Sequence, residues 1–167
     1  MELKTEDWTI ICQNVTNIIL PMFRVPFPPR VKSSMLSALF EIEAAKYYNS
    51  INIPTRNAQS DFEPDITFLR DNTTLEIKVT KESKSNRFRG NKLSKNDSHY
   101  LLIVWDFEMV RSLFEEETKE IMTFDIVHAF IEQREWDKDC SNYNASFITK
   151  EFLNETTQLI KNTFIRE

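Results

Sequence analysis

The chain is poor in the residues that build several common kinds of site. Its 167 residues include one glycine (Gly90), two histidines and two cysteines. No GxGxxG or GxxxxGK[ST] segment occurs, which excludes the usual glycine-rich phosphate-binding loops. Cys12 and Cys140 are far apart and belong to no CxxC pair. A structural zinc site and a disulfide framework are therefore not expected.

The sequence also lacks a long apolar run and an excess of positive charge. No stretch reaches the roughly 18 apolar residues of a membrane-spanning helix, and the charged start MELKTEDWTI is not typical of a signal peptide. The net charge is −5, so any DNA contact must come from a local basic patch. The length suits one domain. We therefore expect a soluble, cytoplasmic domain over residues 1–167 that has no contact with a membrane.

The first half of the chain predicts two helices followed by strands. Apolar residues at helical spacing predict one helix from Thr5 to Pro21 and a second that begins at Ser33 or Ser34. The proline-rich segment between them is expected to be extended. The runs DFEPDITFL and LEIKVT, separated by the polar turn RDNTT, predict a β-hairpin.

The second half predicts a buried strand and more helix. The apolar run YLLIVW suits a central strand that is covered on both faces. Residues 106–120 predict an acidic helix, IMTFDIVHAFIEQ favours a strand, and a last helix is expected from Thr149. The order predicts an α/β fold in which a mixed β-sheet is flanked by α-helices.

The hairpin carries charges that a structural strand does not need. Alternate side chains of a strand share a face, so Glu76 and Lys78 of TLEIKVT lie opposite the apolar Leu75 and Ile77. The neighbouring strand brings Asp65 beside them. Two carboxylates from adjacent strands can converge on one Mg²⁺, which favours oxygen ligands and keeps several waters. An ammonium beside such an ion can orient the attacking water and stabilise the hydroxide that forms.

Pro64-Asp65 followed by Glu76-Ile77-Lys78 resembles the PD-(D/E)xK motif of the restriction-endonuclease-like nucleases. The resemblance extends from about residue 34 to 106, and it implies a restriction-endonuclease-like core. It also implies that Asp65 and Glu76 bind the metal, and that Lys78 activates water. A Glu on the preceding helix reaches the same metal in many of these enzymes. Glu41, which follows Phe40, is the better match for that role, and Glu43 is the alternative.

A basic segment follows the proposed catalytic strand. Residues 81–95 carry six basic side chains against Glu82, a net charge of +5 in a chain whose total is −5. Lysine and arginine neutralise DNA phosphates, and arginine and asparagine also read base edges. Candidate DNA-binding residues are Lys81, Lys84, Arg87, Arg89, Asn91, Lys92 and Lys95. Which of them contact phosphates and which contact bases stays open, and Arg24, Arg30 and Lys32 are weaker candidates.

The sequence thus predicts a Mg²⁺-dependent type II restriction endonuclease that cleaves double-stranded DNA at a short specific sequence. The resemblance implies hydrolysis that leaves 5′-phosphate ends. Because one chain offers one site and a duplex has two strands, a homodimer is expected. Two alternatives remain: a Holliday-junction resolvase or DNA-repair nuclease with the same core, and a noncatalytic DNA-binding protein that retains the fold.

Overall fold

The computed structural model describes residues 2–60, 63–81, 87–91, 97–111, 118–132, 145–149 and 156–166. Helix α1 spans Thr5–Phe23 and helix α2 spans Pro29–Ser50. The strands are β1 (Thr55–Asn57), β2 (Ile66–Phe68), β3 (Thr74–Lys81), β4 (Arg87–Asn91), β5 (Ser98–Arg111), β6 (Thr118–Ile131), β7 (Ala145–Thr149) and β8 (Thr157–Ile165). Across the described ranges, no helix is both long and apolar enough to cross a bilayer.

Six strands form one mixed sheet in the order β1-β2-β3-β5-β6-β8. Strands β3 and β5 are parallel, whereas the other neighbouring pairs are antiparallel. Strands β4 and β7 pair separately as a two-stranded sheet. Helix α2 packs on β3 and β1, and α1 packs on β8 and β6. The predicted α/β fold with a mixed sheet flanked by helices is therefore confirmed.

Strand β5 is buried on both faces from Tyr100 to Trp105, as its apolar run predicts. Leu101, Ile103 and Trp105 belong to the core beneath the helices. Tyr100, Leu102 and Val104 belong to a second apolar cluster on the other face, which also contains Phe88 of β4. Because β3 pairs with this buried strand from Leu75 to Lys81, one edge of β3 is fully hydrogen-bonded.

The proline-rich connector is shorter than predicted. Helix α1 continues past Pro21 to Phe23, whose ring packs 5.2 Å from that of Trp105. Pro21 lies in the last turn, where its fixed φ is compatible with the helix. Helix α2 begins at Pro29 and not at Ser33 or Ser34, because proline is favoured at the first position of a helix.

The two helices predicted in the second half are wrong. The segment 106–111 continues β5, and the segment 118–120 already belongs to β6, where Phe107 and Met122 are cross-strand partners. The segment from Thr157 is strand β8. Residues 112–117 of the first predicted helix and residues 150–155 of the last lie outside the described residues. The strand predicted for IMTFDIVHAFIEQ is confirmed from Ile121 to Ile131.

Candidate active site

The candidate site lies where β3 loses its neighbour on one side. Strand β2 pairs with β3 only through Ile66 and Thr67, opposite Leu75 and Thr74. Strand β5 pairs with β3 from Leu75 to Lys81 on the other side. Among the residues that the structure describes, no strand pairs with the edge of β3 that faces β2 from Glu76 onward.

The carboxylate of Asp65 binds the first backbone N–H of this edge that has no strand partner in the described part of the chain. Asp65 directly precedes β2, and its carboxylate Oδ2 accepts a hydrogen bond from the backbone N–H of Ile77 at 2.6 Å. The bond replaces the ladder hydrogen bond that a longer β2 would have made. The same bond fixes the carboxylate of Asp65 beside the charged face of β3.

Lys78 lies between the two strand carboxylates. Its Nζ is 2.9 Å from Glu76 Oε2 and 3.7 Å from Asp65 Oδ2, and it lies 6.0 Å from the centre of the Tyr100 ring. Burial lowers the pKa of Lys78, but attraction to Asp65 and Glu76 outweighs burial and leaves that pKa above its ordinary value. The two carboxylates therefore stabilise Lys78 as an ammonium in the metal-free site.

The two strand carboxylates repel each other. Burial raises the pKa of Glu76, Lys78 lowers it, and the nearby charge of Asp65 raises it again, so the net pKa is above the ordinary value. Both carboxylates contact the same ammonium, that of Lys78. A single ammonium thus does not fully compensate the negative charge of this pair.

Glu41 adds a third carboxylate from α2. Burial, followed by the charge of Asp65, raises the pKa of Glu41 to about 7. The hydroxyl of Ser37 donates a hydrogen bond to its Oε1 at 3.3 Å. Glu43, the sequence-based alternative, instead forms an ion pair with Lys46 at 2.6 Å. Of the two glutamates, Glu41 is the one whose charge interacts with the cluster.

Asp65, Glu76, Glu41 and Lys78 form what we call the acidic cluster. Fully ionised, it holds three carboxylates and one ammonium, a formal charge of −2. Within the described ranges, no three His, Cys, Asp or Glu side chains converge closely enough to hold a metal by themselves. Mg²⁺ does not require this, since one or two carboxylates, waters and substrate phosphate complete its octahedron. Asp65 and Glu76, which share the Lys78 ammonium, offer two such carboxylates.

A cleft of about 430 Å³ opens beside the acidic cluster. One wall is the first part of α2, and the other is the open edge of β3 from Ile77 to Lys81. Asp65 and Lys78 contribute to its lining. Their charged groups are therefore accessible to a ligand that enters the cleft.

The candidate DNA-binding residues are only partly located. Lys81 ends β3 and lines the cleft, with its Nζ 3.7 Å from Asp106 Oδ1. Arg87, Arg89 and Asn91 lie on β4, of which the backbone is described, so this part of the predicted loop is a strand. Lys84, Lys92 and Lys95 lie outside the described residues.

Two side-chain contacts, one at the acidic cluster and one elsewhere on the sheet, were not predicted from the sequence. Ser37 lies four residues before Glu41, a spacing that places both on one helix face and could have indicated the contact. His99 and His128 are far apart in the chain, yet their rings stack, with Nδ1 and Nε2 3.0 Å apart. The pairing of β5 with β6 brings them together, and no local pattern indicates it.

The acidic cluster therefore combines partly buried carboxylates, a fixed ammonium and an open cleft. No family model, curated protein or solved structure matches this chain. Function is accordingly inferred from the chemistry of the site.

Proposed function

We propose that the protein is a Mg²⁺-dependent endonuclease of the PD-(D/E)xK superfamily that cleaves double-stranded DNA. The observation that carries the proposal is the convergence of Asp65, Glu76 and Lys78 on the open edge of β3. These are the side chains of the sequence motif, and they meet beside a cleft. A mixed sheet with the charged strand parallel to a central apolar strand supports a restriction-endonuclease-like core.

Asp65 and Glu76 would hold the Mg²⁺, and Glu41 would contact the ion or its waters. The shared contact of the two carboxylates with Lys78 and the raised pKa of Glu76 support this assignment, because a cation relieves their repulsion. Mg²⁺ bound there would polarise the phosphodiester and increase the acidity of a nearby water.

Lys78 has a separate role in the proposed hydrolysis. Its ammonium is held by Glu76 and Asp65, so little reorganisation is needed to place positive charge beside the reacting phosphate. It orients the attacking water and stabilises the hydroxide as the proton leaves. In the metal-free site the pKa of Glu41 is about 7; a bound cation would lower that pKa, so Glu41 would contact the ion as a carboxylate and the proton of the attacking water would pass to solvent.

The type II restriction endonuclease is the subclass that we propose. Such an enzyme cuts both strands of a short palindromic site, which requires two active sites related by a two-fold axis. Each chain contributes one acidic cluster, so the proposed enzyme is a cytoplasmic homodimer. Basic side chains after β3, beginning with Lys81 at the cleft, would bind the duplex.

Plasmid cleavage tests the proposal. The protein is incubated with supercoiled plasmid in Mg²⁺ or in EDTA, alongside the Asp65→Ala and Lys78→Ala variants. We expect cleavage in Mg²⁺ only, and rates lower by about a hundredfold or more in both variants. Lys46→Ala, which removes an exposed lysine outside the acidic cluster, is the matched control and should remain active.

The plasmid assay tests the nuclease proposal, and a further digestion distinguishes its subclasses. A protein that binds the plasmid but shows no metal-dependent nicking or cleavage would contradict the nuclease proposal. If cleavage occurs, digestion of a sequenced phage genome distinguishes the subclasses. Discrete fragments with a common end sequence support a restriction enzyme, whereas preference for branched DNA supports a resolvase.

A further inference from the structure

The cleft has ends of opposite charge. At one end, the cleft is lined by Asp65 and Lys78 of the acidic cluster and by Ser37, which contacts Glu41. At the other end it is lined by Arg30 and Lys81, beside Ser33 and its partner Trp105. Lys81 lies three positions after Lys78 on β3, about 10 Å along the strand. Ser37 lies seven positions after Arg30 on α2, which is also about 10 Å. The cleft is therefore long enough to hold more of a substrate than the reacting group alone.

Positive charge is concentrated at the end that contains Arg30 and Lys81. Lys81 approaches Asp106 only to 3.7 Å, and both side chains are more than a quarter exposed. Burial lowers the pKa of the neighbouring Lys32, and the positive charge of Lys81 lowers it further. This end thus has a local excess of cations that can be offset by an anion.

Arg24 and Lys32, the other two weaker candidates for DNA contact, already make side-chain contacts within the protein. Arg24 binds Glu120 through both Nε and Nη2, at 2.7 and 3.3 Å. Lys32 donates to the carbonyl of Phe23 at 3.1 Å and lies over the Phe23 ring. Arg30 is exposed and lines the cleft, so the structure favours Arg30 among the three.

Neutral donors face the same end of the cleft. The hydroxyl oxygen of Ser33 accepts a hydrogen bond from Trp105 Nε1 at 2.9 Å, which orients it and leaves its proton for an acceptor. Ser33 also lines the cleft. The N–H of Val79 lies on the same edge as that of Ile77, beyond the last residue paired with β2. These groups can donate to the oxygens of an anion.

We infer that Arg30, Ser33 and Lys81 form a site for the phosphodiester next to the one that is cleaved, on the same DNA strand. The inference rests on the proposed function, since it takes the acidic cluster as the place of cleavage. Two cations and a fixed hydroxyl match the charge and the acceptor oxygens of a phosphodiester. Contact with a phosphate carries no sequence information, so this site positions the strand and does not select the base sequence.

Salt-dependent DNA binding tests the inference without catalysis. A labelled duplex is titrated by fluorescence anisotropy in EDTA at several salt concentrations. The Arg30→Ala/Lys81→Ala double variant should show a slope of log K against log[salt] that is smaller by about 1, as for the loss of one phosphate contact. The Arg30→Lys/Lys81→Arg variant keeps both charges and should restore the slope.

The control removes the same charge elsewhere. Lys161 and Arg166 are exposed at β8, the opposite edge of the sheet, and the Lys161→Ala/Arg166→Ala variant should keep the wild-type slope. An unchanged slope in the Arg30→Ala/Lys81→Ala variant, or an equal decrease in both double variants, would overturn the inference. The thermal midpoint of each variant establishes that it is folded.

Cleavage separates this inference from the proposed function. In Mg²⁺, Arg30→Ala/Lys81→Ala should raise KM more than it lowers kcat, because the site holds a nonreacting phosphate. A methylphosphonate at the flanking position, which removes that phosphate's charge, should slow the wild type and have little further effect on the variant. Equal slowing of both overturns the inference while cleavage itself stands. A reduced salt slope without any Mg²⁺-dependent cleavage would instead overturn the nuclease proposal.

Discussion

Glu41 and Glu43, two residues apart on α2, differ in the balance of the charges around them. Glu43 is buried and paired with the exposed Lys46 at 2.6 Å, one negative charge against one positive charge. Glu41 faces Asp65 and Glu76 with Lys78 as the nearby cation, three negative charges against one. Burial and the charge of Asp65 raise the pKa of Glu41 to about 7. The same residue type on the same helix is thus charge-balanced in one place and in excess in the other.

The comparison shows how a structural ion pair differs from a site prepared for a ligand. A balanced pair needs nothing further and contributes modestly to stability. An excess of buried negative charge costs free energy in the ligand-free protein, and a bound cation recovers that cost. We therefore expect perturbation of the acidic cluster to affect cation binding, whereas perturbation of the Glu43–Lys46 pair should affect only stability.

The largest expected effect is on divalent-cation affinity, measured by the Mg²⁺-dependent rise of the thermal midpoint. Asp65→Asn removes one of two proposed charged ligands and should weaken Mg²⁺ binding about tenfold or more. Lys78→Met removes the competing ammonium and should leave the affinity unchanged or increase it, even though cleavage is lost. A Lys78→Met protein that no longer binds Mg²⁺ would indicate that Lys78 only maintains the geometry of the carboxylates.

The second effect is a change in the free energy of unfolding that has opposite signs for Glu41→Gln and Glu43→Gln. In the metal-free protein at pH 8, Glu41→Gln should raise the free energy of unfolding, on the order of 1 kcal/mol, because it removes an uncompensated charge. Glu43→Gln should lower it by a similar amount, because the ion pair with Lys46 is lost. Urea unfolding measures both, and destabilisation by both substitutions would remove the distinction between the two glutamates.

The stabilisation by Glu41→Gln should depend on pH. The raised pKa of Glu41 means that the folded protein binds more protons than the unfolded chain between about pH 4.5 and 7. Wild-type stability from this group therefore falls as pH rises through that range. The difference between Glu41→Gln and wild type should be close to zero near pH 4 and reach its maximum above pH 7. A difference that is constant with pH would contradict the assigned pKa.

The smallest effect is expected for Lys46→Met. Its side chain is 66% exposed, so solvent and salt screen the pair and the loss should stay below about 1 kcal/mol. Urea unfolding at low and high salt should show the difference shrinking as salt is added. No change in Mg²⁺ affinity is expected, and a substantial change would mean that the two ion clusters are coupled.

The placement of the candidate side chains on β3 was more predictable from the sequence than the strands that follow β5. Strand alternation in TLEIKVT placed Glu76 and Lys78 on one face, and the buried Leu75 and Ile77 confirm it. Asp65 immediately before the neighbouring strand is local information of the same kind. The hydrogen bond from Ile77 to Asp65 was not predictable, because it depends on how early β2 ends.

The last strand shows why other elements were misread. Leu159 and Ile160 are both buried, a pattern that suggests a helix because adjacent strand residues normally face opposite ways. A β-bulge explains it: Ile126 pairs with Ile160 and Val127 pairs with Gln158, which leaves Leu159 as the extra residue. Pairing with β6 decides the structure here, and no window of local sequence contains that pairing.

Calorimetric titration of the protein with MgCl₂ at pH 7, in two buffers with different heats of ionisation, tests the central claim most directly. If the excess negative charge of the acidic cluster is what a cation neutralises, saturable binding should release protons as the pKa of Glu41 falls. Asp65→Asn should abolish the saturable heat. Absence of saturable binding by the wild type at millimolar Mg²⁺, or binding with no proton release, would contradict the account.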